Sequence, residues 1–269
     1  MEILRRLVQA RTGVVIDRTK DYAVQSALGP LARREGFGSP AELMSAIKLK
    51  REDRLMWAVA EAMTPSETAF FRDHATFRHF REQLLPSLAA KRGGEPVRVW
   101  SNACAAGQEI YSLAMIADEE RGRLGGVRVE LFGSDLSDAS LTKAQAGLYT
   151  QFEVQRGLPI KLLLRYFERN DEMWQATPAL RQMVRWRRIN LLADLSQLGQ
   201  FEVIFCRYVT GLFDRDTRVS VLNKLISSLQ PGGYLVLGLD ERADECAGLS
   251  PVAELPGVYT RTQARQAAA

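Results

Sequence analysis

Val97-Arg98-Val99-Trp100 is a short β-type run that leads into Ser101-Asn102-Ala103-Cys104-Ala105-Ala106-Gly107, a loop of small residues. Glu109 to Glu120 then reads as a helix. Strand, loop and helix in that order make a nucleotide-type cradle. Small side chains let a ligand approach the backbone amides at the start of the helix. A single glycine, Gly107, is too few for the G-x-G-x-x-G dinucleotide fingerprint. A tight turn without a ligand fits these residues equally well.

Further along the chain the same alternation repeats. Val127 to Gly133, Phe201 to Cys206 and Tyr234 to Leu237 read as strands, the last after the turn Pro231-Gly232-Gly233. Helical stretches such as Arg218 to Leu229 lie between them. Strands alternating with helices predict a parallel sheet wound with helices, whose ligand sits at the carboxyl ends of the strands. Asp135 follows the second strand. A carboxylate there can accept from both hydroxyls of a ribose, and it can also cap the Ala139–Ala146 helix. A cradle after the first strand and an acid after the second are the usual grip of Rossmann-type enzymes that use S-adenosylmethionine (SAM).

Residues 165–190 break the alternation. Val184 and Trp186 alternate with Arg185 and Arg187, which reads as a half-exposed strand, and Thr177-Pro178 offers a turn before it. The expectation is a small antiparallel hairpin inserted into the α/β domain. Upstream, residues 1–72 read as helices: Ile3, Leu4, Leu7 and Val8 have helical spacing, and Thr12-Gly13 stops that helix. A second helix runs from about Asp21 to Arg34, with Pro30 placed to kink or divide it. Ser39-Pro40 with Glu42 starts a third, and a fourth spans about Arg51 to Met63. The predicted organisation is a helical domain over 1–72, a linker helix over 73–95 and an α/β domain over 96–269.

Composition sets the outer limits. The chain has 269 residues, 46% hydrophobic and 25% charged, ordinary for a globular protein. Three cysteines, Cys104, Cys206 and Cys246, make no disulfide framework and no paired zinc spacing. His74 and His79 lack a third ligand, so no metal is expected. No run approaches the roughly 20 apolar residues of a membrane span, and no signal-peptide pattern opens the chain. The expected location is cytoplasmic. Residues 1–81 carry 14 Lys and Arg against 10 Asp and Glu, and the remainder is balanced. That bias fits an acidic protein partner or an ordinary solvated face. There is no D/N-P-P-Y segment and no Pro-Cys nucleophile, which argues against a nucleic-acid methyltransferase. Cys104 and Cys206 read as small buried hydrophobes.

Five ordered motifs carry a family resemblance. Thr64-Pro65-Ser66-Glu67-Thr68-Ala69-Phe70-Phe71-Arg72-Asp73 resembles the T-x-N-E-T-x-F-F-R segment of the CheR chemotaxis receptor methyltransferases. Val99-Trp100-Ser101 through Glu109-Ile110-Tyr111-Ser112 resembles their cradle V-W-S-A-x-x-S-x-G-E-E-P-Y-S. Ser134-Asp135-Leu136-Ser137 and Lys143-Ala144-Gln145-Ala146-Gly147-Leu148-Tyr149 are similar to T-D-I-S and K-A-x-x-G-x-Y. Asn190-Leu191 and Ile204-Phe205-Cys206-Arg207 are similar to N-L and I-F-C-R-N-V-x-I-Y-F. The resemblance covers nearly the whole chain. It implies an all-α N-terminal domain followed by a Rossmann-like SAM-dependent methyltransferase domain with an inserted antiparallel β-subdomain. Some members dock that subdomain on a receptor's C-terminal tail peptide.

By the same resemblance the activity is methyl-ester formation on glutamate side chains of chemoreceptor cytoplasmic domains. SAM is the cofactor and S-adenosylhomocysteine (SAH) the product. No nucleic acid or membrane insertion is implied, and the resemblance also leaves room for signalling-protein partners. The implied cofactor contacts are Ser66, Thr68, Arg72, Ala103, Glu109, Asp135, Asn190, Leu191, Arg207 and Tyr208. Arg72 suits the methionine carboxylate, Asn190 and Leu191 the adenine side, and Arg207 the region of the reacting methyl; Arg72 and Arg207 are the catalytic candidates. Phe70 and Phe71 read as packing residues. Five positions depart from the family pattern: Ser66 for Asn, Gln108 for the first Glu of G-E-E, Tyr208 for Asn, Leu212 for the Tyr of I-Y-F, and Ala27 for an Arg of the second helix. Those departures leave two readings open, a working methyltransferase or a SAM- or partner-binding relative with little activity.

Overall fold

The computed structural model describes residues 1–262 apart from 18, 20 and 51. Four helices come first: α1 (Glu2–Thr12), α2 (Asp21–Arg34), α3 (Pro40–Lys50) and α4 (Asp53–Ala62). α2 runs unbroken through Pro30. The lost N–H costs one backbone bond, and the buried residues Val24, Leu28, Leu31 and Ala32 hold the helix against its neighbours. Ser39 Oγ accepts from the Glu42 N–H at the start of α3, as its sequence predicts. α1 ends on Gly13 in the left-handed region, φ 78°. A Cβ there would meet Thr217, Leu192 and Phe213 at 3.0–3.1 Å, so only glycine lets the end of α1 seat on the α/β unit. Val14 bridges Phe213, and the Val15 N–H donates to the Leu212 carbonyl at 2.8 Å.

A connecting run follows: α5 (His74–His79), a π-helical turn over Phe80–Leu84 and α6 (Leu85–Arg92). Then come β1 (Val97–Ser101), α7 (Gln108–Glu120), β2 (Val129–Asp135), α8 (Asp138–Ala146), β3 (Leu148–Thr150), α9 (Gln151–Gln155), α10 (Ile160–Tyr166), β4 (Phe167–Asn170), β5 (Met173–Ala176), α11 (Pro178–Gln182), β6 (Val184–Arg188), β7 (Phe201–Cys206), α12 (Arg215–Ser227), β8 (Leu229–Leu237), β9 (Leu249–Pro251) and β10 (Val258–Arg261). The large sheet has the order β6-β2-β1-β7-β8-β10-β9. Its first five strands pair in parallel, and β10 joins antiparallel to β8 and β9. From β1 the chain first moves outward to β2, then returns to β7 on the other flank of β1. That reversal is the topological switch point at which ligands bind in such sheets. The pattern is that of a Rossmann-like α/β domain, with a small antiparallel sheet of order β3-β5-β4 beside it.

An antiparallel hairpin does lie within 165–190, formed by β4 and β5, but its strands are not the expected ones. The small sheet takes its strands from 148–150, 167–170 and 173–176. Val184–Arg188 instead pairs in parallel with β2 at the edge of the large sheet. Alternation reports one buried face and is silent on which sheet supplies it. Here Trp186 packs over Gly133, where a Cβ would sit 2.8 Å from the indole. Thr177 caps α11 by accepting from the Leu180 N–H, with Pro178 in the first turn, so the expected turn is a helix start.

Phe70 and Phe71 are buried. Phe70 packs edge-on to Tyr149 and Phe167, and the Phe71 N–H donates to Ser112 Oγ at 3.0 Å. These contacts fasten segment 64–72 between the small sheet and α7. Gly157, φ 89°, lies under the same segment, and a Cβ there would fall 2.1 Å from the Phe70 carbonyl oxygen. Gly157→Ala is therefore expected to cost about 3 kcal/mol or more. Urea unfolding checks this; an unchanged midpoint would refute it.

Candidate active site

A cavity of about 230 Å³ opens at the carboxyl ends of β1, β2 and β7. Ala103 and Ala105 come from the loop after β1, Asp135 and Leu136 from the end of β2, Asn190 and Leu191 from beyond β6, and Tyr208 and Leu212 from the loop after β7. Thr12 and Val14, at the end of α1, and Thr64–Glu67 complete the wall. Sequence reading did not anticipate Thr12 and Val14; the Thr12-Gly13 helix stop was their only signal.

Eight of the expected residues line this cavity: Ser66, Arg72, Ala103, Asp135, Asn190, Leu191, Arg207 and Tyr208. Two do not. Thr68 faces a neighbouring cleft with Gln108, Lys143 and Arg156. Glu109 lies behind the wall, accepting from Ser101 Oγ at 2.8 Å and from Arg207 at 2.9 Å.

Asp135 is held by the cradle itself. One carboxylate oxygen accepts from the Ala105 N–H at 2.8 Å and the other from the Ser137 N–H at 2.9 Å. The cap of α8 is Ser137, whose Oγ accepts from the Ser140 N–H, so Asp135 does not serve that helix end. Burial pushes the Asp135 carboxyl above the usual aspartate range, with the backbone N–H groups pulling the other way. Two oxygens fixed by one amide each still have lone pairs for incoming hydroxyls.

Arg207 lines the cavity with most of its guanidinium already engaged. Its side chain is only 2% exposed and spans both Asp73 and Glu109. It also donates to the Arg72 carbonyl at 2.8 Å. These three acceptors tie segment 72–73 to α7 at the edge of the cavity. Asn190 is similarly committed: Nδ2 donates to the Arg11 carbonyl at 2.7 Å and Oδ1 accepts from the Leu192 N–H at 3.0 Å. It joins α1 to the wall, leaving Leu191 as the apolar contact there. Arg72 is the less committed guanidinium. It lies over the Tyr208 ring, 3.7 Å from the centroid, and donates to the Glu67 carbonyl at 3.3 Å.

Backbone strain gathers here. Among the described residues, seven non-glycines have positive φ, and Phe71, Asp73, Ala103, Ala105 and Tyr208 belong to this neighbourhood. Strained conformations persist where surrounding contacts over-determine them, commonly at ligand sites. Tyr208 has φ 59°, a region asparagine tolerates better than an aromatic residue. Its hydroxyl donates to Asp73, and burial followed by this bond raises its phenol pKa. Cys104 and Cys206 are fully buried with thiols pushed far up by desolvation, which fits inert packing groups.

The cavity offers an acceptor pair at Asp135, a guanidinium at Arg72 and apolar walls at Leu136, Ile189, Leu191 and Leu212. Together these suit a ligand with vicinal hydroxyls, a carboxylate and a flat ring, the chemistry of SAM. The sequence profile described as "CheR methyltransferase, SAM binding domain" matches residues 66–255. The chain is 38% identical over 244 residues to chemotaxis protein methyltransferase 1 of Pseudomonas aeruginosa, covering 89% of each chain. It is 35% identical over 244 residues to chemotaxis protein methyltransferase Cher2 of Pseudomonas putida, again covering 89% of each. Against chemotaxis protein methyltransferase 1 of Vibrio cholerae it is 35% identical over 239 residues, 88% of this chain and 86% of that protein. Cradle, acid, sheet order and relatives agree: the chain belongs to the CheR family and is a SAM-dependent methyltransferase of chemotaxis.

Proposed function

We propose that the enzyme forms methyl esters on glutamate side chains of chemoreceptor cytoplasmic domains. The observation that supports this is the state of the acids in the cavity. Its two carboxylates are Glu67 and Asp135. Glu67 pairs with Arg156 at 2.9 Å, which holds its pKa below the usual range, and Asp135 is bound by two backbone amides. Glu67 is tied up by Arg156, and both Asp135 oxygens are turned to the cradle and α8 amides. A carboxylate acceptor needs no general base, because it is already ionised at neutral pH and has no proton to lose.

SAM supplies a sulfonium-activated methyl group. In this reading Asp135 accepts from the ribose hydroxyls, Arg72 binds the methionine carboxylate, and Leu191 packs on the adenine side. Ser66, Ala103 and Tyr208 line the cofactor's path. Arg207 and Glu109 act from behind by fixing the segment that presents Arg72. Leu212, Val209 and Phe213 form an apolar wall that excludes water. Leu212 contributes packing alone, where the family tyrosine offers a hydroxyl.

Incubation with methyl-labelled SAM and receptor cytoplasmic fragments is expected to give base-labile methyl ester on glutamates. Leu212→Tyr is expected to change turnover by about tenfold or less with SAH affinity unchanged. Tight SAH binding with no label on any receptor fragment tested would refute the receptor reading.

A further inference from the structure

Glu241 lies just past the end of β8 and is 8% exposed. Its carboxylate takes four donors. Oε2 accepts from the N–H groups of Tyr208 at 2.7 Å and Gly238 at 2.8 Å. Oε1 accepts from Thr210 Oγ1 at 2.8 Å and the Gly211 N–H at 3.1 Å. All but Gly238 belong to the loop after β7 that walls the cavity. No ion pair to this carboxylate exists among the described residues, so neutral dipoles alone hold a buried charge, a geometry that demands well-aligned donors.

The first residue in that grip is Tyr208, the aromatic residue in the left-handed region. Gly238 completes the enclosure: a Cβ there would lie 2.9 Å from the Tyr208 ring. The backbone bond from Glu241, the bare backbone at Gly238 and the hydroxyl bond to Asp73 over-determine one strained conformation. That conformation puts the ring beneath the Arg72 guanidinium.

We propose that Glu241 is a positioning residue for the amino-acid end of the cofactor, acting through Tyr208 on Arg72. The inference rests on the reading that Arg72 binds the methionine carboxylate. It goes beyond the contacts lining the cavity, since Glu241 stands behind its wall and is remote from every cavity motif in the chain.

The test is calorimetry on the full chain with two ligands. SAH carries the amino-acid end; 5′-methylthioadenosine has the adenosine and thioether without it. Glu241→Gln puts an amide NH2 against two of the four donors, and is expected to weaken SAH about tenfold and to change methylthioadenosine by less than about twofold. Arg72→Ala should show the same selectivity. If Glu241→Gln leaves SAH unchanged, or weakens both ligands equally, the proposal is overturned. If Arg72→Ala itself weakens both equally, the Arg72 reading fails and takes the proposal with it. If Arg72→Ala is selective and Glu241→Gln is not, only the role of Glu241 falls. Should Glu241→Gln not fold, Glu241→Asp, which keeps the charge but is one methylene short of the four donors, is read the same way.

Discussion

Asp135→Ala is expected to weaken SAH binding by about 100-fold or more while the protein stays folded. Two bonds from ligand hydroxyls to an ionised carboxylate are worth about 1.5–3 kcal/mol each, and each 1.4 kcal/mol is about tenfold in affinity. The substitution also releases the Ala105 amide, which Asp135 now holds at 2.8 Å, and so loosens the cradle that approaches the ligand. Asp135→Asn, with one acceptor oxygen left, is expected to fall between wild type and alanine. Calorimetry decides the matter, with circular dichroism to establish folding; wild-type affinity in Asp135→Ala would remove this residue from the site. The pH dependence has a definite sign. Burial raises the Asp135 pKa, so acidification protonates it earlier than an ordinary aspartate and SAH affinity falls on that limb. Stability of the free protein moves oppositely through this group: a raised carboxyl pKa makes the ionised form a burden that is relieved as pH falls through it.

Arg207→Ala is expected to cost about 3–5 kcal/mol of stability, the loss that follows when one partner of a buried ionic cluster is removed. Its guanidinium separates and neutralises Asp73 and Glu109 and also satisfies the Arg72 carbonyl. Without it two carboxylates share a desolvated space and the turn at Asp73, already at φ 61°, loses its anchor. Arg207→Lys should recover only part, because one ammonium cannot reproduce the planar fork that reaches both acids. Urea unfolding followed by far-UV circular dichroism measures the loss. A change below about 1 kcal/mol, the range of an exposed pair, would show that the cluster carries no such weight.

Local patterns place Arg207 along the chain and no further. Its place at the end of β7 was legible from Ile204-Phe205-Cys206-Arg207, since a run of apolar residues closed by a charge marks where a buried strand emerges. Where its guanidinium goes was not legible. Glu109 is 98 residues away in sequence and Asp73 is 134, and no periodicity encodes such distances. Tyr208 shows the same division. Its departure from the family asparagine is visible in one letter, whereas its left-handed backbone, its ring against Arg72 and its amide on Glu241 exist only after β7 and β8 pair. Val184–Arg188 divides in the same way, a strand by its alternation but assigned to its sheet by Trp186 over Gly133.

The strands β1, β2, β7 and β8, the small-residue cradle and the acid after β2 were legible in the chain, because each is written in short runs whose spacing follows strand and helix geometry; the family was legible in the resemblance of its ordered motifs. The sequence also marked eight of the residues that meet at the cavity. Which of them remain available to a ligand depends on long-range packing. Arg72 and Asp135 do, while both terminal nitrogens of Arg207, the Glu109 carboxylate and the Asn190 amide are bonded into the wall. A charged or amide side chain has a limited set of donors and acceptors, and burial favours pairing them with whatever the fold brings within about 3 Å.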